Sequence, residues 1–106
     1  MKEYDAATKC VQAGYSPENG QPRVVPICQS TTFKYESSDA MGDLFDLKAS
    51  GFFYTRLANP TTDAVEQKIA ALEGGAGAML TSSGQAAVFS SLFNISQAGD
   101  HIISTS

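Results

Sequence analysis

The sequence predicts an α/β chain, in which an N-terminal arm leads into one strand-helix-strand unit. Three patterns carry that expectation. Val65, Ile69 and Leu72 recur at helical spacing until Gly74-Gly75 stops them. The apolar run Ala78-Met79-Leu80 then passes through the small residues Thr81-Ser82-Ser83-Gly84-Gln85 into Ala86-Ala87-Val88-Phe89, which reads as strand, turn and helix. After the turn signals from Gln97 to Gly99, His101-Ile102-Ile103-Ser104 reads as a second strand.

Taken in order, Ala6 to Val11 reads as a short helix, and Gly14 to Tyr35 as an extended arm with turns near Pro17 and Gly20. The arm has no apolar period of its own, so it is expected to be a linker or to lie against a partner. Ser37 or Ser38 caps a short helix covering Met41, Leu44, Phe45 and Leu47. Asn59 is the next N-cap, with Pro60 in the first turn, and the Val65, Ile69 and Leu72 stripe is expected to be core. A strand over 77–81, a helix from Gly84 to about Ile95 and a strand over 101–104 then form a βαβ unit with a right-handed crossover. Two parallel strands buried on both faces need further strands and helices beside them, so the chain is expected to be truncated. Residues 1–60 are assigned to the arm and short helices, and residues 61–106 to the start of a larger domain.

Composition narrows the function classes. The chain has 106 residues, 42% hydrophobic and 17% charged, as in a globular domain. A formal net charge of −4 without a Lys/Arg cluster argues against nucleic acid or an acidic membrane as partner. No apolar run approaches the roughly 20 residues of a membrane span, and the polar start Met1-Lys2-Glu3-Tyr4-Asp5 is unlike a secretory signal, so a cytoplasmic location is expected. Cys10 and Cys28 lack metal-ligand spacing and are expected to be free thiols.

The residues that point to chemistry fall in two groups. Ser82-Ser83-Gly84-Gln85 lies at the carboxyl end of the first expected strand, where ligands of such sheets bind. The first amides of the following helix lack intrahelical partners and sit at the positive end of its dipole, so Gly84 lets an anion approach bare backbone. Upstream, Tyr54-Thr55-Arg56-Leu57-Ala58-Asn59-Pro60-Thr61 offers a guanidinium able to bond two phosphate oxygens, with a phenol two positions away and so on the same side of an extended segment. The other constellations are bland. His101 is the single histidine, so neither a metal site nor a Ser-His-Asp arrangement is expected. Asp39, Asp43, Asp46 and Glu73 suit solvated or capping positions on helices. Gly74-Gly75-Ala76-Gly77 precedes a strand, whereas a dinucleotide fingerprint follows one.

Tyr54-x-Arg56-x-x-Asn59-Pro60-Thr61, then a helix, Leu72-Glu73-Gly74-Gly75, a strand and Ser82-Ser83-Gly84-Gln85 together resemble the cysteine and methionine metabolism family of pyridoxal phosphate enzymes. The family includes cystathionine synthases and lyases, methionine gamma-lyase and O-acetylhomoserine sulfhydrylase. The resemblance runs from Ala13-Gly14 through Val25-Pro26-Ile27 and Gln29-Ser30-Thr31-Thr32-Phe33 to Gly99-Asp100-His101-Ile102-Ile103, departing at Gln12, where the family often has His, and at Cys28, where it often has an aromatic residue.

The resemblance implies the first βαβ unit of a fold-type-I, aspartate-aminotransferase-like large domain, preceded by an arm that contacts another subunit. The cofactor implied is pyridoxal 5'-phosphate, with Tyr54, Arg56, Gly84 and Gln85 as its ligands. Gln85, where many members have Met, is similar to the sulfhydrylases, whose reaction replaces the acetate of O-acetylhomoserine by sulfide to give homocysteine. A methionine gamma-lyase or a cystathionine gamma-synthase or lyase is the alternative. The partners implied are a small amino acid, sulfide and further copies of the chain, as a dimer of dimers with sites shared across each dimer.

Such chemistry also needs a Schiff-base lysine, an acid at the ring nitrogen and a stacking aromatic. No spacing marks Lys2, Lys9, Lys34, Lys48 or Lys68 for the first role. The family places all three groups downstream, so the 106 residues alone are expected to be inactive, as the N-terminal quarter or so of a transferase. A non-catalytic chain that pairs with the full enzyme, or a simple phosphate-binding domain, are the readings from other classes.

Overall fold

A computed structural model describes residues 4–105. Met1, Lys2 and Glu3, which open the polar start, lie outside the described residues, as does Ser106. Four helices follow one another: α1 (Ala6–Gln12), α2 (Ser38–Phe45), α3 (Pro60–Glu73) and α4 (Gly84–Ile95).

Each helix opens on a side-chain cap. Asp5 accepts the Thr8 N–H at 2.8 Å, Ser37 the Ala40 N–H at 3.1 Å, Asn59 the Thr61 N–H at 2.9 Å and Ser83 the Ala86 N–H at 3.1 Å. These bonds satisfy donors that a helix start leaves without partners. Pro60 fills the first position of α3, where a missing N–H costs nothing. Gly74 ends α3 in the left-handed region, at φ 66°.

α1 packs on α3 through Gly14, whose φ of 86° is unfavourable for other residues. A Cβ there would stand 2.1 Å from the Ala64 carbonyl oxygen and 2.9 Å from the Lys68 backbone nitrogen, so only glycine permits this approach. Leu44 of α2 is buried, near Gly51. Tyr35 donates its hydroxyl to the Phe52 carbonyl at 2.9 Å, and Phe45 meets Phe53 with ring centroids 4.5 Å apart.

The arm is fastened to its own chain. Thr61 Oγ1 accepts the Cys28 N–H at 2.8 Å and donates to the Pro26 carbonyl at 2.8 Å, while Asn59 Nδ2 donates to the Cys28 carbonyl at 3.0 Å. Beyond it, the Thr55 N–H reaches the Thr31 carbonyl at 2.9 Å, the Phe33 N–H reaches the Phe53 carbonyl at 3.3 Å, and Thr32 and Tyr54 form an isolated antiparallel bridge. The arm's lack of apolar period therefore reflects polar anchoring to the segment before α3 and to that helix's first turn.

Three expectations are corrected. Among the described residues the segments 77–81 and 101–104 carry no strand pairing, and a strand exists only through its ladder. Their residue pattern is that of strands awaiting neighbours, with Ile103 left 98% exposed. Val65, Ile69 and Leu72 are not core: they are 37–43% exposed, and the buried positions of α3 are Ala64 and Ala70. The helix period was sound, but small residues occupy the face that is covered here. Leu47 lies beyond α2 with φ 57° and is exposed. The Cα radius of gyration is 17.5 Å, against about 13 Å for a compact domain of this length, so the described residues do not enclose a single core. Cys10 and Cys28 are free thiols, and no described helix is long and apolar enough to cross a membrane.

Two outcomes follow from the caps. Asn59→Ala removes an N-cap and two further hydrogen bonds, and is expected to cost about 2–3 kcal/mol in chemical denaturation. Asn59→Asp, which keeps the acceptor and loses both donors, should fall between it and the parent. The hydrogen bonds from Thr8, its backbone N–H first, hold the Asp5 carboxyl below its ordinary value of 3.8. Because the folded-state value is depressed, this cap's stabilisation is complete above the unfolded value and is lost as pH falls through the folded one. An NMR titration of Asp5 should show the lowered midpoint, and α1 should fray as pH falls through it.

Candidate functional site

Tyr54 and Arg56 occupy a turn, a correction to the extended segment expected from their spacing. The Tyr54 carbonyl accepts the Leu57 and Ala58 N–H groups at 2.9 and 3.1 Å, closing the chain between the Thr32 bridge and the Asn59 cap. Thr55 anchors it: its side-chain oxygen accepts from Asn59 Nδ2 at 3.0 Å and donates to the Ser30 carbonyl. The turn still brings the two side chains together, with Arg56 Cζ over the Tyr54 ring, 5.1 Å from its centroid. A cation over a ring face leaves its N–H edges available to other partners. Arg56 is exposed, and the one ion pair among the described residues is Lys48 with Asp46.

Gly84 and Gln85 are the first two residues of α4. The Ala86 N–H is taken by Ser83 Oγ and the Ala87 N–H by the Ser83 carbonyl at 3.1 Å, so helix bonding begins there. Among the described residues the Gly84 and Gln85 N–H groups have no partner, and both residues are exposed. A Cβ at Gly84 would meet nothing within 4 Å. The glycine thus answers no packing demand among the described residues, which leave open space in front of the helix start. Thr81 Oγ1 donates to the Ser83 carbonyl at 2.9 Å and steadies the turn.

The described residues do not gather the four candidates into one site. α4 contacts none of the other helices. One concavity is lined by Met79, Thr81 and residues of α4 from Ala87 onward, another by residues of α1, the arm and Lys68; neither includes Tyr54, Arg56, Gly84 or Gln85. The chain presents two separate groups of donors instead. Lys34 and Lys48 are exposed, Lys9 and Lys68 half-buried, and His101 exposed.

The positioning residues were the ones missed. Asn59 was legible as a cap, but its two bonds to Cys28 and Thr55, and those of Thr61 to Pro26 and Cys28, join positions as many as 35 residues apart. Glu66, whose Oε1 accepts the Leu80 N–H at 2.8 Å, had no signal beyond being polar on a helix.

The donor set suits a phosphate: a guanidinium with free N–H edges, a phenol, and unpartnered amides at the positive end of a helix. Comparison with known proteins points the same way. Residues 7–106 match the family described as Cys/Met metabolism PLP-dependent enzyme. An O-acetyl-L-homoserine sulfhydrylase of Thermus thermophilus is 46% identical over 96 residues, covering 90% of this chain and 23% of that protein. An L-methionine gamma-lyase of Fusobacterium nucleatum is 42% identical over 102 residues, covering 96% and 26%. A crystal structure of a protein described as an O-acetylhomoserine (thiol)-lyase of Campylobacter jejuni, which carries a pyridoxyl-lysine phosphate, superposes with a TM-score of 0.85 at 35% identity over 92% of this chain and 24% of that one. The chain spans about a quarter of the length of these relatives.

Proposed function

The chain belongs to the Cys/Met metabolism family of pyridoxal-phosphate-dependent enzymes, and from that premise we propose that it supplies the cofactor-phosphate ligands of an O-acetylhomoserine sulfhydrylase. The observation that carries the phosphate reading is the pair of unpartnered N–H groups at Gly84 and Gln85, behind a glycine with open space before it. These amides hold the phosphate of their own subunit. Arg56, steadied over Tyr54, bonds phosphate oxygens in the neighbouring subunit, and the Tyr54 phenol adds a further donor. The separation of the two groups within one chain supports that division, since neither group alone completes a dianion's coordination. On this reading residues 1–60 are an arm that makes subunit contacts, residues 61–106 begin the large domain, and the enzyme is a cytoplasmic homo-oligomer, a dimer of dimers.

The cofactor supplies an electron sink for negative charge developing beside an amino-acid substrate's amino group. This chain's residues contribute binding and orientation: fixed amides and a charged fork hold the phosphate so that the reactive end keeps one place. None of the described lysines is buried, so the 106 residues alone are proposed to be catalytically inactive.

Gln85 at the second position of α4 supports the sulfhydrylase reading, with sulfide displacing acetate from O-acetylhomoserine in methionine biosynthesis. The Fusobacterium relative supports the second reading, a C–S lyase acting on methionine. Purified enzyme is expected to turn over O-acetylhomoserine with sulfide faster than it releases methanethiol from methionine. The reverse order would assign it to the lyases.

Shared ligation is checked separately. Arg56→Ala in the enzyme should weaken cofactor binding roughly ten- to a hundredfold, the contribution of one charge-assisted contact. Mixing that variant with one lacking the Schiff-base lysine should restore one competent site per hybrid dimer. Silence after confirmed subunit exchange would refute ligation from the neighbouring chain.

A further inference from the structure

Among the described residues, a single hydrogen bond crosses between residues 4–75 and residues 76–105: Leu80 N–H to Glu66 Oε1, at 2.8 Å. Among the same residues it is the one hydrogen bond to the backbone of residues 77–80. Leu80 stands two residues before Ser82, so its amide leads directly into the turn that opens α4. Glu66 is on α3, about one and a half turns beyond Pro60, and α3 is held at its N-terminus by the Asn59 cap that also anchors the Tyr54-Arg56 turn through Thr55. A continuous path of bonded groups therefore runs from Arg56 through Thr55, Asn59, α3 and Glu66 to Leu80 and the α4 amides.

We propose that Glu66 is a positioning residue for cofactor-phosphate binding, its carboxylate holding the Leu80 amide and so the turn that presents the α4 amides. The inference rests on the phosphate reading of those groups. The bond joins α3, rooted beside the Tyr54-Arg56 turn by the Asn59 cap, to the segment that runs directly into the α4 turn. A carboxylate suits this role because it accepts a backbone N–H strongly, and a helix fixes its root. Its charge does not serve the phosphate, which it would repel. The bond is what matters, and a neutral acceptor of the same reach keeps it.

The test compares binding of pyridoxal 5'-phosphate and of pyridoxal, which lacks the phosphate, to the apo-enzyme by absorbance titration. Glu66→Ala and Glu66→Asp, the latter charged but one methylene short, are expected to weaken binding of the phosphorylated form about tenfold while leaving pyridoxal unchanged. Glu66→Gln should stay within about twofold of the parent for both, since its amide oxygen accepts the same N–H. Amide exchange at Leu80 should quicken in the alanine and aspartate variants and not in the glutamine variant. Equal weakening of both ligands, no weakening of either, or a glutamine variant as weak as the alanine one would overturn the proposal. Should the alanine variant fail to fold, the aspartate and glutamine pair makes the same comparison. Arg56→Ala, run alongside, separates the two ideas: if it too leaves the preference for the phosphorylated form unchanged, the phosphate reading itself falls, whereas an effect of Arg56 without one of Glu66 removes only the positioning role.

Discussion

The buried side chain of Asn59 organises the part of the chain that is fastened together. It is 4% exposed, and each of its polar atoms is used: the oxygen caps α3 at the Thr61 N–H, and the nitrogen reaches Cys28 and Thr55. A buried amide without partners would cost more than its bonds return in water, so this position is stable only while the arm, the Tyr54 turn and the helix start all stand in place. The same three groups then define where Arg56 emerges. A cap, ordinarily a local device, becomes here the junction with an arm residue 31 positions away.

Around that junction the chemistry divides. The guanidinium and phenol sit on the anchored side, supported by bonds to residues 30–32, whereas the bare amides of α4 sit on a segment tied back by one carboxylate. Helix α4 carries Val88, Phe89, Leu92 and Phe93 with substantial exposure, as do Ile102 and Ile103 after it. These are the apolar surfaces of a parallel α/β layer, which is stable when covered on both faces. The superposition on the Campylobacter structure places the same backbone within a much longer chain, of which it matches 24%.

Gly14 shows how sequence and packing divide responsibility. In the sequence it marks only the start of the arm, but two independent demands meet there: a positive φ, and an Ala64 carbonyl too close for any Cβ. The first is a backbone preference visible as a residue type. The second depends on α3 arriving from a distant part of the chain, and it is what joins α1 to the rest.

The sequence by itself determined the four helices, the caps of α2 and α3 and the stop of α3, because these are local: an Asn or Ser before a helical period, a proline at its first position and a left-handed glycine at its end act within one turn of chain. It also singled out Tyr54, Arg56 and Gly84 as residue types that suit an anion, and Gln85 through the family resemblance. Only the tertiary structure decided that among the described residues Ala64 and Ala70 are covered while Val65, Ile69 and Leu72 stay exposed, that the Tyr54-Arg56 segment turns instead of extending, and that segments 77–81 and 101–104 find no ladder partner there. Each of these depends on a partner distant in the chain. Periodicity states which side chains share a face, but what covers the face, and which amide a carboxylate such as Glu66 finds, is settled by where the other segments come to rest.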